Sequence, residues 1–336
     1  MTKIMLHIGQ HKTGSSSIQA TLDFAQKRVQ LKKWRYLQSD ERNHSFIISS
    51  AFGSESYMKY YKEIKSSAGI PRKRFGKRFA QNRIFEEIQS AKKSNLNLIV
   101  SAEDLCILHE SEVAEMRKFF VDSGATSFSV VGYIRPVAEW SNSFSQQLIR
   151  QSLKTISDVI DLPPYPRYRE YFEKYISTFG RENVDIRPFY RKTLHGEDVV
   201  SDFLSILSED SSSRNIKLYM KNDSMTVDQI RLASAVNEVR FRSNWKDGLI
   251  ILRHLRNMEL PKKERFGLPA YCHEMAIRSA ESDINWASES LNLDKAFLSK
   301  SAFSVDASDL SKPVDAEMFV RYIRHLEDRL TTLKKA

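Results

Sequence analysis

Cysteine is scarce in this sequence, and long apolar runs are missing from it. Cys106 and Cys272 are the only cysteines among 336 residues, which excludes a disulfide-rich scaffold. Histidines and cysteines do not stand at the spacing of metal ligands, so we expect no metal site. No stretch of about 18 apolar residues occurs, and the run Ile4–Ile8 is too short for a signal peptide. The sequence therefore predicts a cytoplasmic protein without a transmembrane helix.

Positive charge, by contrast, is in excess. Lysine and arginine number 52 against 42 aspartates and glutamates, which gives a formal net charge of +10. Basic residues gather at Lys27–Arg35 and Arg72–Arg83. They form either a well-solvated surface or a face that attracts an anionic partner, such as a nucleotide, an acidic polysaccharide or a membrane surface. Neither stretch matches a nucleic-acid recognition motif, so no nucleic-acid partner is expected. A monomer and a homo-oligomer are both compatible with this composition.

Short apolar runs alternate with helical patterns along most of the chain. The runs predict strands at residues 4–8, 96–100, 128–134 and 184–189. Helical periodicity predicts helices at 15–31, 78–93, 112–122, 169–179, 226–242, 271–293 and 314–333, and a further helix that begins at Pro136. This alternation predicts an α/β fold with a mainly parallel sheet. We expect a single domain, 1–336, with an α/β core at about 1–205 and a helical C-terminal subregion at about 206–336.

The segment after the first predicted strand has the composition of an anion-binding loop. It reads Gly9-Gln10-His11-Lys12-Thr13-Gly14-Ser15-Ser16-Ser17, and an amphipathic helix follows. Small residues let backbone N–H groups converge on an anion, and a helix N-terminus adds partial positive charge. Lys12 adds a full charge, Thr13 and Ser15–Ser17 add hydroxyl donors, and His11 adjoins the loop. The alternative is a serine-rich helix N-cap that binds no ligand.

The position of the lysine separates this loop from that of the nucleotide hydrolases. Their loop reads Gly-x-x-x-x-Gly-Lys-Ser/Thr. Gly9 and Gly14 stand in that register, but Lys12 precedes Gly14 instead of following it. We predict a P-loop-type parallel sheet flanked by helices. Its loop lacks the lysine that follows the second glycine in kinases. A kinase that uses ATP and magnesium stays an alternative, because Glu103 and Asp104 follow a predicted strand as magnesium ligands would.

A second candidate binding element follows the third predicted strand. Arg135 comes directly after this strand, and Ser143 stands eight residues further on. An arginine at a strand end can bind a phosphate through two parallel hydrogen bonds. A serine two turns into the next helix can approach the same phosphate from the side. Taken alone, an arginine at a strand end is more commonly an exposed charge, so the pair gains meaning only together with the loop.

Together, the two segments resemble those of the superfamily of sulfotransferases that use 3′-phosphoadenosine 5′-phosphosulfate (PAPS), particularly its bacterial carbohydrate-type members. The family loop reads Lys-Ser/Thr-Gly-Thr/Ser-Thr/Ser, which Lys12–Ser16 matches, and Arg135 and Ser143 have the spacing of the family's 3′-phosphate site. The resemblance implies that His11–Ser17 bind the 5′-phosphosulfate. It implies PAPS as sulfuryl donor, 3′,5′-adenosine bisphosphate (PAP) as product and no metal. The acceptor it implies is a hydroxyl or amine, carried by a carbohydrate or glycolipid.

The resemblance also implies a general base that takes the proton from the acceptor. Glu103, after the second predicted strand, is the first choice, and His44 is the rival. The alternative for Glu103 is that it or Asp104 caps the next helix. A non-catalytic polyanion-binding protein on the same fold is a further alternative for the whole chain.

Overall fold

The computed structural model describes residues 2–54, 76–208, 216, 219, 225–243, 264–314, 319–320 and 323. The predicted helix at 314–333 and the first part of the basic stretch at 72–83 therefore lie largely outside the described residues. The chain divides into two compact units. The first comprises Met1–Arg135, Arg167–Lys221 and Trp286–Leu293; the second comprises Pro136–Pro166, Asn222–Asn285 and Asp294–Ala336. This division does not coincide with the boundary expected near residue 205, because Pro136–Pro166 belongs to the second unit.

The first unit contains a five-stranded, all-parallel sheet. Its strands are β1 (Thr2–Ile8), β2 (Trp34–Tyr36), β3 (Asn97–Ala102), β4 (Ala125–Ile134) and β5 (Val184–Pro188), in the order β2-β3-β1-β4-β5. The predicted α/β fold is confirmed, with four of the strands within a few residues of their expected bounds. The register pairs Ile8 with Ala102 and His7 with Val131, so the carboxyl ends of β3, β1 and β4 lie side by side.

Helices form much of the rest of the described chain. In chain order they are α1 (Ser15–Lys27), α2 (Ser45–Phe52), α3 (Lys77–Lys93), α4 (Glu110–Asp122), α5 (Val137–Arg150), α6 (Ile156–Asp161), α7 (Tyr168–Phe179), α8 (Val199–Ile206), α9 (Val227–Ser243), α10 (Ala270–Ser279), α11 (Glu281–Leu291), α12 (Lys295–Leu298) and α13 (Ala307–Ser311). Two expectations need correction. Pro136 precedes α5 as its N-cap, with ψ of 146°, and is not its first helical residue. The single helix expected at 271–293 is two helices, which meet at Ala280.

The core of the first unit lies on the apolar runs that predicted the strands. Ile4 and Leu6 on one face of β1 are 0% exposed and Met5 on the other face is 1% exposed, as expected for a strand covered on both faces. Met5 and its neighbours in the sheet pack against α1 and α8. Helices α3, α4 and α7 also contact the strands. Burial on this scale fixes β1 at the centre of the sheet and so fixes where the loop after it begins.

The second unit has a separate apolar core, built on helices. Most of its buried members come from α5, α6, α9, α10 and α13, among them Ile149 and Ile230 at 0% exposure, and Leu268, also 0% exposed, joins them from the segment before α10. Asn237, also 0% exposed, donates to the carbonyls of Ile149 and Lys154 at 2.8 and 2.7 Å and so anchors the end of α5 to α9. In the parts of the chain that the structure describes, no helix is both long and apolar enough to cross a membrane.

Candidate active site

The loop between β1 and α1 has a sharply defined backbone. Lys12 and Gly14 adopt left-handed conformations, with φ of 74° and 82°. At Gly14 only glycine fits, because a Cβ there would lie 2.7 Å from Val199 Cγ1 and 3.2 Å from Phe189 Cε2. A left-handed conformation is uncommon for a residue such as lysine and marks local constraint. The loop is thus held in one shape by packing within the first unit.

The hydroxyl groups predicted to bind an anion have different surroundings. Thr13 is 1% exposed, and its Oγ1 donates to the carbonyl of Gln10 at 2.6 Å, so it holds the loop together. Ser15 is 2% exposed, and its Oγ has no hydrogen-bond partner among the described residues. Ser16 is exposed and Ser17 is buried. The N-cap of α1 is Gly14, which has no side chain to accept from the first turn, so a serine N-cap is not what the structure shows.

Gly9 lets two side chains come close to the end of β1. A Cβ at Gly9 would lie 2.3 Å from Ser15 Oγ and 3.6 Å from Glu103 Cγ. Its backbone N–H also donates to the carbonyl of Ala102 at 3.4 Å, which ties the start of the loop to the end of β3. The small residue at this position therefore brings the predicted base, Glu103, beside the predicted anion-binding loop.

Arg135 is tied to the same loop through its main chain. Its N–H donates to Gln10 Oε1 at 3.3 Å, and Gln10 is 0% exposed. Its carbonyl accepts from the Tyr168 hydroxyl at 2.5 Å. Its guanidinium lies over the Phe189 ring, with Cζ 4.7 Å from the ring centroid. The same Phe189 packs against Gly14, so one aromatic ring contacts both predicted binding elements.

Acidic side chains at the end of β3 face His11 of the loop. His11 Nδ1 lies 3.4 Å from Glu103 Oε2, and His11 Nε2 lies 3.9 Å from Asp104 Oδ1. The three side chains are 22%, 23% and 15% exposed. We call His11, Glu103 and Asp104 the outer layer. Both acids begin the short 3-10 turn Glu103–Ile107, whose N-cap is Ala102, so neither caps a helix as the alternative required.

The outer layer behaves as an ion pair. Burial lowers the pKa of His11, but the hydrogen bond to Glu103 and the charges of Glu103 and Asp104 outweigh it and leave this pKa above its ordinary value. Burial raises the pKa of Glu103, but the hydrogen bond and charge of His11, with the charge of Lys12, hold it below its ordinary value. Both shifts favour the charged forms of the pair, a protonated imidazole and an ionised carboxylate. Among the described residues, no group of three or more His, Cys, Asp or Glu side chains is arranged to hold a metal ion.

His44, the rival base, lies in different surroundings. It is 0% exposed, its Nδ1 accepts from the N–H of Ser101 at 3.0 Å, and its own N–H donates to the Ser101 carbonyl at 3.0 Å. His7 is equally buried, with Nδ1 2.7 Å from Ser101 Oγ. Burial lowers the pKa of His44 to about 3 and that of His7 to about 4. We call His7, Ser101 and His44 the inner layer; its surroundings favour neutral, structural histidines and favour Glu103 as the base.

The structure thus brings most of the predicted site together within the first unit. The loop, Arg135 and Glu103 are linked there by the contacts of Gln10, Gly9 and His11. Ser143 lies on α5 in the second unit, partly exposed, and its role stays a prediction. Sequence reasoning missed Gln10, because a glutamine between two candidate residues gives no signal of its own. It also missed the pairing of His11 with Glu103, which depends on the adjacency of β1 and β3.

Comparisons with known proteins add little to this geometry. No protein-family model matches the sequence. No curated protein matches it significantly. Among solved structures, a chain from the PezAT chromosomal toxin–antitoxin system of Streptococcus pneumoniae is similar over 72% of this chain and 86% of that chain, with 14% identity and a TM-score of 0.30. A TM-score this low carries no argument, so any conclusion on function rests on the site itself.

Proposed function

We propose that this protein is a sulfotransferase that moves the sulfuryl group of PAPS to a hydroxyl or amine of an acceptor. The observation that carries the proposal is the hydrogen bond from the Arg135 N–H to Gln10 Oε1. This hydrogen bond connects the loop that contains Lys12 directly to the arginine at the end of β4. The two cationic elements are therefore held next to each other. PAPS has two separate anionic ends, the 5′-phosphosulfate and the 3′-phosphate, and two such elements suit it better than they suit AMP.

The loop supplies the donor side of the reaction. Lys12 is partly exposed, and no side chain caps the start of α1, where we propose that the anion binds. The buried Ser15 hydroxyl, without a partner among the described residues, offers one more donor. In the proposed reaction these groups stabilise the charge that grows on the 5′-phosphate as the S–O bond breaks. Arg135 binds the 3′-phosphate and takes no part in the bond changes.

The outer layer supplies the acceptor side. An acceptor oxygen attacks the sulfur in line with the bond to the 5′-phosphate, that bond breaks, and the acceptor proton passes to Glu103. The lowered pKa of Glu103 keeps it in the ionised form that can take this proton. The raised pKa of His11 favours a second cation beside Lys12. PAP leaves with the electron pair of the broken bond, and a carbohydrate or glycolipid is the acceptor class that we propose.

Calorimetric binding of PAP, AMP and magnesium ATP tests the donor assignment. PAP should bind more tightly than AMP. Lys12→Ala and Arg135→Ala should each lower the affinity for PAP about 10- to 100-fold, because a hydrogen bond to a charged group contributes about 1.5–3 kcal/mol. Ser143→Ala, on the sequence prediction, should lower it about fivefold. Lys118→Ala and Arg278→Ala are matched controls, since each of these residues forms an exposed ion pair with a neighbour on its own helix.

Each rival function predicts a different result in the same experiment. If PAP binds no better than AMP, the sulfotransferase proposal is wrong. Magnesium-dependent ATP binding that survives Arg135→Ala would indicate a kinase. Binding to acidic glycans that weakens strongly with salt, without specific affinity for PAP, would indicate a polyanion-binding protein.

A further inference from the structure

Three buried side chains of α7 donate hydrogen bonds to main-chain carbonyls of the first unit. The Tyr168 hydroxyl donates to the carbonyl of Arg135 at 2.5 Å. Lys174 Nζ donates to the carbonyl of Cys106 and the Tyr175 hydroxyl to that of Leu105, both at 2.7 Å. Both tyrosines are 0% exposed, and Lys174 is 8% exposed. The carbonyls belong to the two segments that follow β4 and β3, which contain Arg135 and Glu103.

Apolar packing alone would hold α7 against the sheet. Phe172 and Phe179 of the same helix are 0% and 6% exposed. A lysine is rarely buried, and burying its charge costs free energy that one carbonyl only partly offsets. Burial accordingly lowers the pKa of Lys174. Apolar residues of similar volume are often as stabilising as buried charged groups, so directed contacts of this kind serve position better than they serve stability.

The turn that begins with Glu103 depends on such contacts. It is a short 3-10 turn, and the carbonyls at the end of a helical turn have few partners within it. Its start is held by Ser45 Oγ, which accepts from the N–H of Asp104 at 3.1 Å. Its end is held by the donors of α7. A shift of the Leu105 and Cys106 carbonyls would therefore turn Glu103 relative to His11 and the loop.

We propose that α7 is a positioning helix for the site. Lys174 and Tyr175 fix the turn that carries Glu103, and Tyr168 fixes Arg135, so one helix sets both the base and the 3′-phosphate ligand. The roles of Glu103 as base and of Arg135 as ligand of the 3′-phosphate rest on the proposed function. The positioning of their two segments by α7 does not. No residue of α7 is assigned a contact with substrate.

Hydrogen exchange of two backbone amides tests the contacts at the two ends of α7 separately. Tyr168→Phe should speed exchange of the Arg135 N–H about tenfold, because that residue loses the partner of its carbonyl. Tyr175→Phe should speed exchange of the Leu108 N–H, which donates to the Leu105 carbonyl, by a similar factor. Each variant should leave the exchange rate of the other amide within twofold of the wild-type rate. Lys174→Met should act at the Leu108 end, and Ser177→Ala, which removes an exposed hydroxyl from the same helix, should change neither amide.

Function gives a second, independent measurement on the same variants. Tyr168→Phe should weaken PAP binding about fivefold, whereas Tyr175→Phe should leave it within twofold and lower PAPS turnover about tenfold. The positioning proposal is overturned if both variants speed both amides alike, as general loosening would, or if neither amide changes. Selective exchange effects in a protein that does not bind PAP would leave the positioning intact and contradict the proposed function instead.

Discussion

The outer and inner layers contain the same kind of residue in opposite states. His11 of the outer layer faces two carboxylates, is about one-fifth exposed, and has a raised pKa. His7 and His44 of the inner layer are fully buried, contact Ser101, and have lowered pKa values. Although these residues are far apart in the sequence, the pairing of β1 with β3 brings His7 beside Ser101 and His11 beside Glu103. A reaction at the carboxyl edge of the sheet needs charged side chains that a substrate can reach. Of the two layers, only the outer one has them.

This difference shows that residue type alone does not identify the general base. A histidine is the commonest general base, yet a buried histidine kept neutral can instead satisfy main-chain groups. The inner layer satisfies the N–H and carbonyl of Ser101 through His44. The outer layer instead keeps opposite charges beside a loop that suits an anion. The two layers should therefore respond differently to substitution and to pH.

Replacing Glu103, the proposed base, should have the largest effect. Glu103→Gln keeps the shape of the side chain but cannot take a proton, so the rate of PAP release from PAPS with a hydroxyl acceptor should fall about 10²- to 10⁴-fold. Affinity for PAP at pH 6 should change far less. The rate is measured with an acceptor found by screening glycans, at saturating PAPS.

Two companion variants sharpen that result. Asp104→Asn removes the more distant carboxylate of the outer layer and should lower the rate much less than Glu103→Gln. His44→Gln should lower stability more than rate per folded molecule. A large loss of rate in a fully folded His44→Gln protein, with Glu103→Gln active, would reverse the assignment of the two layers.

Acid should unfold the protein through the inner layer. Histidines have an ordinary pKa of about 6.5 when unfolded, and burial lowers that of His7 to about 4 in the folded chain. The unfolded state therefore binds more protons between these values, so stability is present above pH 6.5 and is lost as pH falls towards 4. The loss attributable to His7 is about 3 kcal/mol, with a comparable contribution from His44.

Urea unfolding from pH 7 to pH 4.5 measures this loss. His7→Gln should start from a lower stability but lose less of it on acidification. His11→Gln provides the contrast, since the pKa of His11 is shifted the other way. If all three curves fall in parallel, other groups control the acid response and the inner layer is not the neutral element described above.

Much of the fold followed from apolar runs and their spacing. The buried runs in β1, β3, β4 and β5 are long enough to predict, and the helices between them have clear periodicity. β2 was missed because it has three residues, Trp34–Tyr36, with a charged one in the middle. The left-handed Lys12 could not be predicted either, since nothing in its type favours that conformation.

The candidate site was predictable as residues but not as contacts. Lys12, Arg135 and Glu103 each follow a predicted strand, and parallel strands place such residues at one edge of a sheet. Which of them touch depends on strand order, which sequence spacing does not determine. The α7 contacts were also invisible, because Tyr168, Lys174 and Tyr175 fit the pattern of an ordinary amphipathic helix.

The charge of His11 should appear as a pH dependence of donor binding. Its folded pKa is raised, so both its contribution to stability and its positive charge are present at low pH and are lost as pH rises through that pKa. Affinity for PAP should fall about fivefold over this rise, the size expected for one charge at partial exposure. His11→Gln should bind PAP less tightly at pH 6 and lose this dependence. A wild-type affinity that is flat from pH 6 to pH 9 would contradict a charged outer layer.

The smallest effect concerns a hydroxyl that is buried like the inner layer but belongs to the loop. Ser15 Oγ has no partner among the described residues, and an unsatisfied buried hydroxyl is unfavourable, so Ser15→Ala should leave stability unchanged or raise it by about 1 kcal/mol. If that hydroxyl is kept for the donor, the same change should weaken PAP binding about threefold. Ser16→Ala, at an exposed position, is the control for stability. If Ser15→Ala keeps or raises the stability and weakens PAP binding, Ser15 is a binding group. If it lowers the stability without changing the affinity for PAP, Ser15 is a structural residue like those of the inner layer.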